Sequence, residues 1–277
     1  SEATKYGAIG VIIHEVGHNF FPMIINSDER QYWWMDEGLN TFVQFLTEQE
    51  FDNNYPSRRG PAHLIADYMK LPKDMLEPIM TKGDNVASVG SNAYAKAATG
   101  LNILRETIMG RELFDYAFKE YANRWKYKHP NPSDLFRTLE DATATDLDWF
   151  YRGWFFTTDH VDMELSQVKW FKVYEKTSNI EDQKRTKKIK IATTEKNTNI
   201  EPKDFSKGAE VITMTNTLDS AYGEYLSRLD DNEVRKQLSG KNIYEVSIKN
   251  IGGLVMPVTI EWQFTDGSTE IDRSPAE

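Results

Sequence analysis

The chain has 277 residues, of which 39% are hydrophobic and 12% aromatic, a composition typical of a folded protein and not of a disordered segment. Its formal net charge of −10 argues against nucleic-acid binding and against docking on anionic membranes. The chain contains no cysteine, which excludes disulfides, thiolate metal ligands and cysteine nucleophiles.

The ends of the chain and its longest apolar runs also limit its class. No apolar run reaches the roughly 20 residues that cross a bilayer, so we predict no membrane span. The first residue is Ser1 and not a methionine, and no secretory signal is visible. We therefore expect the chain to be part of a longer protein. Its sequence does not indicate an oligomeric state.

The first predicted helix covers about Gly7 to Phe21, with Pro22 at or just beyond its end. Apolar residues occupy nearly every face, so we expect this helix to be central and buried. It contains the pattern His-Glu-x-x-His as His14, Glu15 and His18. Positions four apart share a helix face and rise by about 6 Å, so both imidazoles can reach one metal ion. Glu15 is then placed to accept a proton from a metal-bound water.

The second predicted helix runs from about Met35 to Glu50. Glu37 lies near its start, nineteen residues after His18, behind two tryptophans and before Gly38. A glutamate in such an apolar setting is costly unless it has a partner. A zinc hydrolase needs a third protein ligand and an open position for water. The sequence therefore predicts one zinc ion bound by the two histidines and Glu37.

Further helical periodicity follows and completes a predicted helical zinc catalytic domain at residues 1–165. One helix opens near Tyr94 and ends near Gly110. By position, Tyr94 could face the metal cleft or be a core aromatic. The three remaining histidines lack ligand spacing, and we interpret them as structural or surface residues: His63, His129 and His160. More helices are predicted around residues 113–121, 135–139 and 147–156.

Residues 166–242 are interpreted as a charged connector, because much of the segment is rich in Lys, Glu, Thr and Asn. Within it we predict a short strand at residues 189–191 and a short helix at about 222–238. The basic run at residues 184–188 is interpreted as a solvated face.

Residues 243–277 are interpreted as the strand portion of a sandwich domain. Residues 244–248 and 258–264 alternate between apolar and polar side chains. Turn-forming residues at 250–253 lie between them, so we predict that the two strands form a hairpin. Two strands alone are marginally stable, and we therefore expect the other strands of the sandwich to lie outside this chain.

The motifs resemble the M1 family of zinc metallopeptidases, the gluzincin aminopeptidases. In that family a W-x-x-E-G signature on the second helix supplies the third ligand, and the stretch from Trp34 to Leu39 is similar to it. The family's Y-E-K-G-A segment is similar to Tyr94 to Ala98 here. The resemblance covers about residues 5–160, and the last strands look like part of the family's β-sandwich. It implies a mainly α, thermolysin-like catalytic domain followed by a small, incomplete β-sandwich portion.

The resemblance also implies an activity and a role for each site residue. His14, His18 and Glu37 would bind one zinc ion, and Glu15 would be the catalytic base that activates a zinc-bound water. Tyr94 would donate to the oxyanion that forms from the scissile carbonyl. The expected substrate is a peptide that loses its N-terminal residue. The expected location is periplasmic or extracellular, since family members of this kind are often exported bacterial proteins.

Three departures from the family pattern concern specificity and not the metal ligands. Asp36 stands where Asn is common, and Ala95 and Ala97 replace the glutamate and glycine of the tyrosine segment. The family also carries an upstream G-x-M-E-N segment whose glutamate anchors the substrate's amine. Thirteen residues precede His14, and they do not contain this segment. Aminopeptidase action is therefore implied by the resemblance alone.

Two other functions stay open from the residues themselves. One is a zinc endopeptidase or another zinc hydrolase, such as an epoxide hydrolase, on the same fold. The other is a non-catalytic module that binds zinc or peptides. Structural zinc sites usually fill all four positions with protein ligands, whereas this sequence offers three, and that favours an open, catalytic position.

Overall fold

The computed structural model describes residues 2–174, 210–213 and 242–274. The chain divides into two compact units: Ser1–Asp162 with Gly252–Glu277, and Met163–Ile251. Helices dominate the first unit, which also contains a two-stranded sheet, and the described part of the second unit consists of strands. This arrangement confirms the predicted fold class of a mainly helical region followed by a small β portion.

Seven α-helices form the first unit within the described residues: α1 Glu2–Gly17, α2 Leu39–Phe51, α3 Ala66–Met69, α4 Ala97–Ile103, α5 Arg111–Trp125, α6 Pro132–Thr143 and α7 Asp148–Phe156. Wider helical turns, Trp34–Gly38, lead directly into α2. Similar turns, Gly90–Lys96 and Leu104–Ile108, flank α4. The helices predicted from periodicity are confirmed, although α4 and its flanking turns form one longer helical stretch.

The start of α6 shows how local sequence fixes a helix boundary. The Asn131 side chain accepts hydrogen bonds from the backbone N–H groups of Ser133 and Asp134, at 3.0 and 3.3 Å. The Asp134 carboxylate in turn accepts the Asn131 backbone N–H at 2.9 Å. Pro132 has no N–H to satisfy at the first helical position. This capping box explains why α6 begins where it does.

The prediction that the first helix is buried on all sides is wrong for the described residues. α1 ends at Gly17, and Phe21 has an extended backbone with φ −120° and ψ 108°. Val11, Ile12 and Val16 are 59%, 61% and 58% exposed. One face of α1 packs on α2, and the face that carries Val11, Ile12 and Val16 is exposed. The apolar composition of this stretch therefore overestimated how much of α1 is buried.

The core of the helical unit lies between α2, α4, α5, α6 and α7. Its largest fully buried side chains include Trp34, Phe42, Phe114, Trp154 and Phe155. The Trp34 and Phe155 rings lie 4.8 Å apart. Each side chain of this size contributes roughly 1.5–3 kcal/mol of apolar burial. This packing holds the Trp34–Gly38 turns, and with them Glu37, against the rest of the unit.

Two sheets contain the five described strands. In the first, β1 Met163–Tyr174 lies between β2 Glu210–Thr213 and β3 Asn242–Asn250; it is parallel to β2 and antiparallel to β3. In the second, β4 Thr259–Gln263 and β5 Thr269–Arg273 form an antiparallel pair. Asp266 and Gly267 lie in the turn between them.

The two predicted strands exist as β3 and β4, but the predicted hairpin between them is wrong. β3 pairs with β1, whose sequence signal was missed, and β4 pairs with β5. The chain after β3 makes other backbone hydrogen bonds: Gly252 N–H donates to Asp162 O at 3.1 Å, and Leu254 N–H donates to His160 O at 3.2 Å. These bonds hold residues 252–254 beside residues 160–162 and leave no tight turn.

The predicted division into residues 1–165, 166–242 and 243–277 stays a prediction. The basic run at 184–188, the strand at 189–191 and the helix at 222–238 fall outside the described residues. β1 occupies the start of the predicted connector. None of the described helices combines the length and the apolarity that a bilayer crossing requires.

Candidate active site

Three of the predicted site residues converge on one point in the helical unit. His14 Nε2 lies 3.1 Å from His18 Nε2 and 3.1 Å from Glu37 Oε2, and His18 Nε2 lies 3.4 Å from the same Glu37 oxygen. Their side chains are 12%, 21% and 23% exposed. His14 lies in the last turn of α1 and His18 follows directly after the helix, and the turns that precede α2 supply the glutamate.

The hydrogen bonds of the two imidazoles show that this cluster suits a cation. His14 Nδ1 lies 2.9 Å from Gln44 Oε1, and His18 Nδ1 lies 2.8 Å from Phe21 O. Both partners are acceptors, so each Nδ1 carries the proton and each Nε2 presents a lone pair. Two lone pairs and a carboxylate oxygen would otherwise repel one another at these distances.

The spacing and chemistry of the donor set fit zinc in particular. Bonds of about 2.0–2.1 Å to a tetrahedral zinc ion place its nitrogen and oxygen ligands roughly 3.3 Å apart. The three observed separations, 3.1, 3.1 and 3.4 Å, bracket that value. Among the described residues the group has three members, which leaves a fourth position for water or substrate.

Two glycines allow the helices to approach closely enough to form the cluster. A Cβ on Gly17 would lie 2.0 Å from Asn40 Oδ1, and a Cβ on Gly38 would lie 2.5 Å from Ala97 Cβ. The Asn40 amide also donates to His14 O at 2.8 Å. α1 is thereby fixed against α2, and the turns that carry Glu37 are fixed against the helical stretch that carries Tyr94.

A line of hydrogen bonds runs from the three-donor cluster through α2 to the loop that follows it. Beyond the contact with His14, Gln44 Nε2 donates to Glu48 Oε1 at 2.8 Å, and Ser57 Oγ donates to Glu48 Oε2 at 2.5 Å. Glu48 is only 5% exposed. The bond to Glu48 fixes which end of the Gln44 amide faces His14. This line of hydrogen bonds was not predicted, although the four-residue spacing of Gln44 and Glu48 on one helix face can be read from the sequence.

Tyr94 also lies at the cluster. Its ring stacks on the His14 ring with a centroid distance of 5.8 Å and an interplanar angle of 21°. Burial, together with a hydrogen bond from its hydroxyl to the Glu37 carboxylate, raises the pKa of Tyr94. The phenol is therefore protonated at neutral pH and acts as a donor.

The carboxylates at the cluster have shifted pKa values. Burial raises the pKa of Glu37, but the contacts with His14 and Tyr94 outweigh burial, and the net pKa lies below its usual value. The contact with Glu37 favours the protonated form of His14 and raises its pKa against the opposing effect of burial. Burial and the neighbouring charge of Glu37 raise the pKa of Asp36 to about 7. Asp36 Oδ1 lies 3.1 Å from His18 Nδ1, so Asp36 contacts the ring nitrogen that faces away from the cluster.

Glu15 lies outside the three-donor group but lines the same cleft, where its side chain is exposed. The cleft has a volume of about 710 Å³. Three carboxylates and two guanidinium groups line it, from Glu15, Glu37, Glu48, Arg58 and Arg59. All five predicted site residues therefore meet in one cleft, whereas His63, His129 and His160 do not line it.

Arg59 is a second feature of the cleft that sequence analysis missed. Its guanidinium carbon lies over the Tyr94 ring, 4.5 Å from the centroid. The residue comes from the irregular segment between α2 and α3, where no periodic pattern marks which side chains face the cleft.

The family model described as "Peptidase family M1 domain" matches residues 1–154. Several curated proteins named as aminopeptidases are similar to the chain. "Probable aminopeptidase 1" from Sulfurisphaera tokodaii is 25% identical over 185 residues, covering 62% of this chain and 23% of that protein. Human "Glutamyl aminopeptidase" is 26% identical over 152 residues, covering 52% and 16%.

A longer alignment joins the chain to rat "Endoplasmic reticulum aminopeptidase 1", with 20% identity over 276 residues, 95% of this chain and 28% of the relative. Among solved structures, an M1 zinc metallopeptidase from Deinococcus radiodurans matches with a TM-score of 0.45 and 18% identity, covering 55% of this chain and 33% of that one. The chain spans about a quarter of the length of the curated relatives it matches, or less.

Proposed function

The chain belongs to peptidase family M1, and from that premise we propose that it is the catalytic part of a zinc-dependent aminopeptidase. The observation that carries the proposal is the three-donor cluster of His14, His18 and Glu37, which opens into a cleft beside Glu15 and Tyr94. Release of the N-terminal residue, as opposed to internal cleavage, is supported by the names of the relatives.

Zinc bound by the three donors would lower the pKa of water to about 7 and polarise the scissile carbonyl as a Lewis acid. Each protein group then has a separate task. Glu15 accepts a proton from the attacking water and delivers it to the nitrogen of the leaving amine. Tyr94, protonated and aimed at the cluster, donates its hydroxyl hydrogen to the carbonyl oxygen as negative charge develops there.

The chain's own contacts prepare the histidines for this role. Gln44 and Phe21 O accept the Nδ1 protons and thereby aim both Nε2 atoms at one point. Preorganisation of this kind avoids reorientation of the rings when the metal binds. The third ligand, Glu37, is held by the packed turns before α2, and it remains ionised because its pKa is lowered.

The decisive variant is Glu15→Gln, which removes the base and keeps the shape of the side chain. We expect it to retain about one zinc per chain by elemental mass spectrometry and to lose nearly all peptide turnover, whereas Glu37→Ala should lose the zinc. Turnover that survives in Glu15→Gln would falsify the assigned base. A wild-type protein without zinc after incubation in excess metal would contradict the whole proposal.

Substrate pairs separate the proposed exopeptidase from other zinc hydrolases. An enzyme that requires a free amine should cleave Ala-Ala-Ala-amide and ignore its N-acetylated form. Cleavage of the acetylated peptide at a comparable rate would indicate an endopeptidase. A protein that binds zinc but cleaves neither peptide would leave a non-catalytic zinc- or peptide-binding role.

A further inference from the structure

Arg59 is a cation on the cleft wall whose charge is not neutralised by contact. Its guanidinium is partly buried and lies over the Tyr94 ring. Within the described ranges, no carboxylate oxygen lies within 4.0 Å of it and no hydrogen bond reaches it. Arg58, its neighbour, is exposed.

The nearby carboxylates have other partners. Glu37 contacts both histidines of the cluster, and Glu48 accepts from Gln44 and Ser57. Both attract Arg59 through the cleft without touching it. Because a desolvated guanidinium without hydrogen bonds is costly, an anion that enters the cleft from outside is a natural partner for it.

The position of Arg59 limits where such an anion can lie. The guanidinium carbon is 4.5 Å from the centroid of Tyr94, and that ring is 5.8 Å from the centroid of His14. Arg59 is therefore at most about 10 Å from a metal-ligand ring. An extended peptide rises about 3.3 Å per residue, so this distance corresponds to about three residues.

We propose that Arg59 forms a carboxylate-binding subsite in the cleft, which selects peptides that carry a carboxylate within about three residues of the cleaved bond. This inference rests on the proposed peptidase function. The carboxylate comes from either of two sources: the free C-terminus of a short peptide, or an acidic side chain near its N-terminus. Both present the same pair of oxygens to the guanidinium.

The chemistry of arginine suits this role. A guanidinium that lies over an aromatic ring keeps the N–H groups in its own plane available, and two of them match the two oxygens of a carboxylate. A hydrogen bond to a charged group at a partly buried position lowers the dissociation constant of a ligand by roughly 10- to 100-fold. The Tyr94 ring under the guanidinium helps to hold Arg59 on the cleft wall.

Matched peptide pairs test the subsite in the zinc-loaded protein. The first pair is Ala-Ala-Ala and its C-terminal amide. In the second pair, both peptides are amides and Glu is exchanged for Gln at the first or second residue. We expect kcat/KM to favour the acid by about 10- to 100-fold in at least one pair. The pair that shows the preference identifies the source of the carboxylate.

Variants at two adjacent arginines give the control. Arg59→Gln should reduce the acid-to-amide ratio to near one, and Arg59→Lys should restore part of the ratio. Arg58→Gln removes the same charge from the exposed neighbour in the same cleft and should leave the ratio nearly unchanged. Loss of the ratio in Arg58→Gln instead would overturn the assignment of the subsite to Arg59. If Arg59→Gln lowers kcat/KM for acid and amide equally, Arg59 only supports Tyr94 and the subsite does not exist.

A binding measurement separates failure of the subsite from failure of the proposed function. The Glu15→Gln protein should hold peptides uncleaved, so calorimetry can compare its affinity for Ala-Ala-Ala and for the amide directly. Tighter binding of the acid that disappears with Arg59→Gln supports the subsite even without turnover. Equal affinity for the two peptides, with normal cleavage of both by the wild type, overturns the subsite and leaves the peptidase assignment intact.

Discussion

The Tyr94 side chain is held by contacts at both its ring and its hydroxyl. The ring lies near the His14 ring and under the Arg59 guanidinium, and the hydroxyl bonds to Glu37. These contacts limit where the phenol can point, and they keep it protonated. A core aromatic would be enclosed by apolar side chains, whereas Tyr94 lines the cleft.

We expect Tyr94→Phe to lower kcat by about 100- to 1000-fold, because loss of one donor to a developing oxyanion has an effect of this size. KM and zinc content should change little. Steady-state kinetics and elemental analysis measure the two quantities. If the variant instead unfolds or loses zinc, Tyr94 is a structural residue and the assigned donor role fails.

At the residue scale, motif spacing predicted the convergence of His14, His18 and Glu37, because helix geometry relates residues four apart and the apolar setting of Glu37 required a partner. The family resemblance placed Tyr94 beside them. Arg59 and Ser57 could not be predicted, since an irregular segment has no period from which a direction can be inferred. The roles of all these residues as ligands or catalysts stay predictions, as does the location outside the cytoplasm.

At the scale of single elements, α2 and the turns before it connect several parts of the site. Gly38 contacts the Tyr94 stretch, Asn40 contacts α1, and Gln44 and Glu48 support His14. Asn40, Gln44 and Glu48 follow one another at four-residue spacing and so share one face of the helix. One surface of a single helix thus connects the metal cluster to the helices and the loop around it.

Gln44→Met should weaken zinc binding by about 10- to 100-fold, the usual effect of removing the partner of a metal-ligating histidine. The methionine has similar volume but cannot accept the His14 Nδ1 proton. Competition with a zinc chelator measures the affinity without reference to catalysis. Gln31→Met, at an exposed position away from the cluster, is the matched control. Equal affinities in both variants would show that the line from Gln44 to Glu48 does not support the metal site.

The strands show where element-level prediction failed. Alternation located β3 and β4 correctly, because it is a property of each strand alone. Strand pairing, in contrast, depends on which partner strand is available. The partner of β3 is β1. β1 begins directly after the helical region and lies about eighty residues before β3 in the chain. A short intervening turn suggested a hairpin, but the residues of that turn instead bond to His160 and Asp162.

At the scale of the whole molecule, the helical unit contains a buried charge outside the three-donor cluster. Lys96 is 2% exposed, and its Nζ donates to Thr157 O at 3.2 Å. Burial lowers the pKa of Lys96 to about 8. The unfolded chain therefore binds this proton more tightly than the folded chain does, and folding is penalised wherever the lysine is charged.

The sign of the pH dependence follows from that difference. Between about pH 8 and pH 10.5 the unfolded state holds more protons, so this group makes the free energy of unfolding rise with pH, by about 3 kcal/mol over the window. Below pH 8 the penalty is present in full. Urea unfolding of the wild type and of Lys96→Met should therefore differ in pH slope within this window. Lys119→Met, on the exposed face of α5, should keep the wild-type slope, and parallel curves for all three proteins would refute the shift.

Lys96 also joins the helical stretch of Tyr94 to a distant part of the chain. Its backbone carbonyl accepts the Trp154 indole N–H at 2.8 Å, and its ammonium group reaches Thr157. These partners lie 58 and 61 residues further along the chain. Synthesis proceeds from the N-terminus, so His14, His18 and Glu37 leave the ribosome before these two partners do. The stretch that contains Tyr94 can therefore be anchored only after the residues of the three-donor cluster have been made.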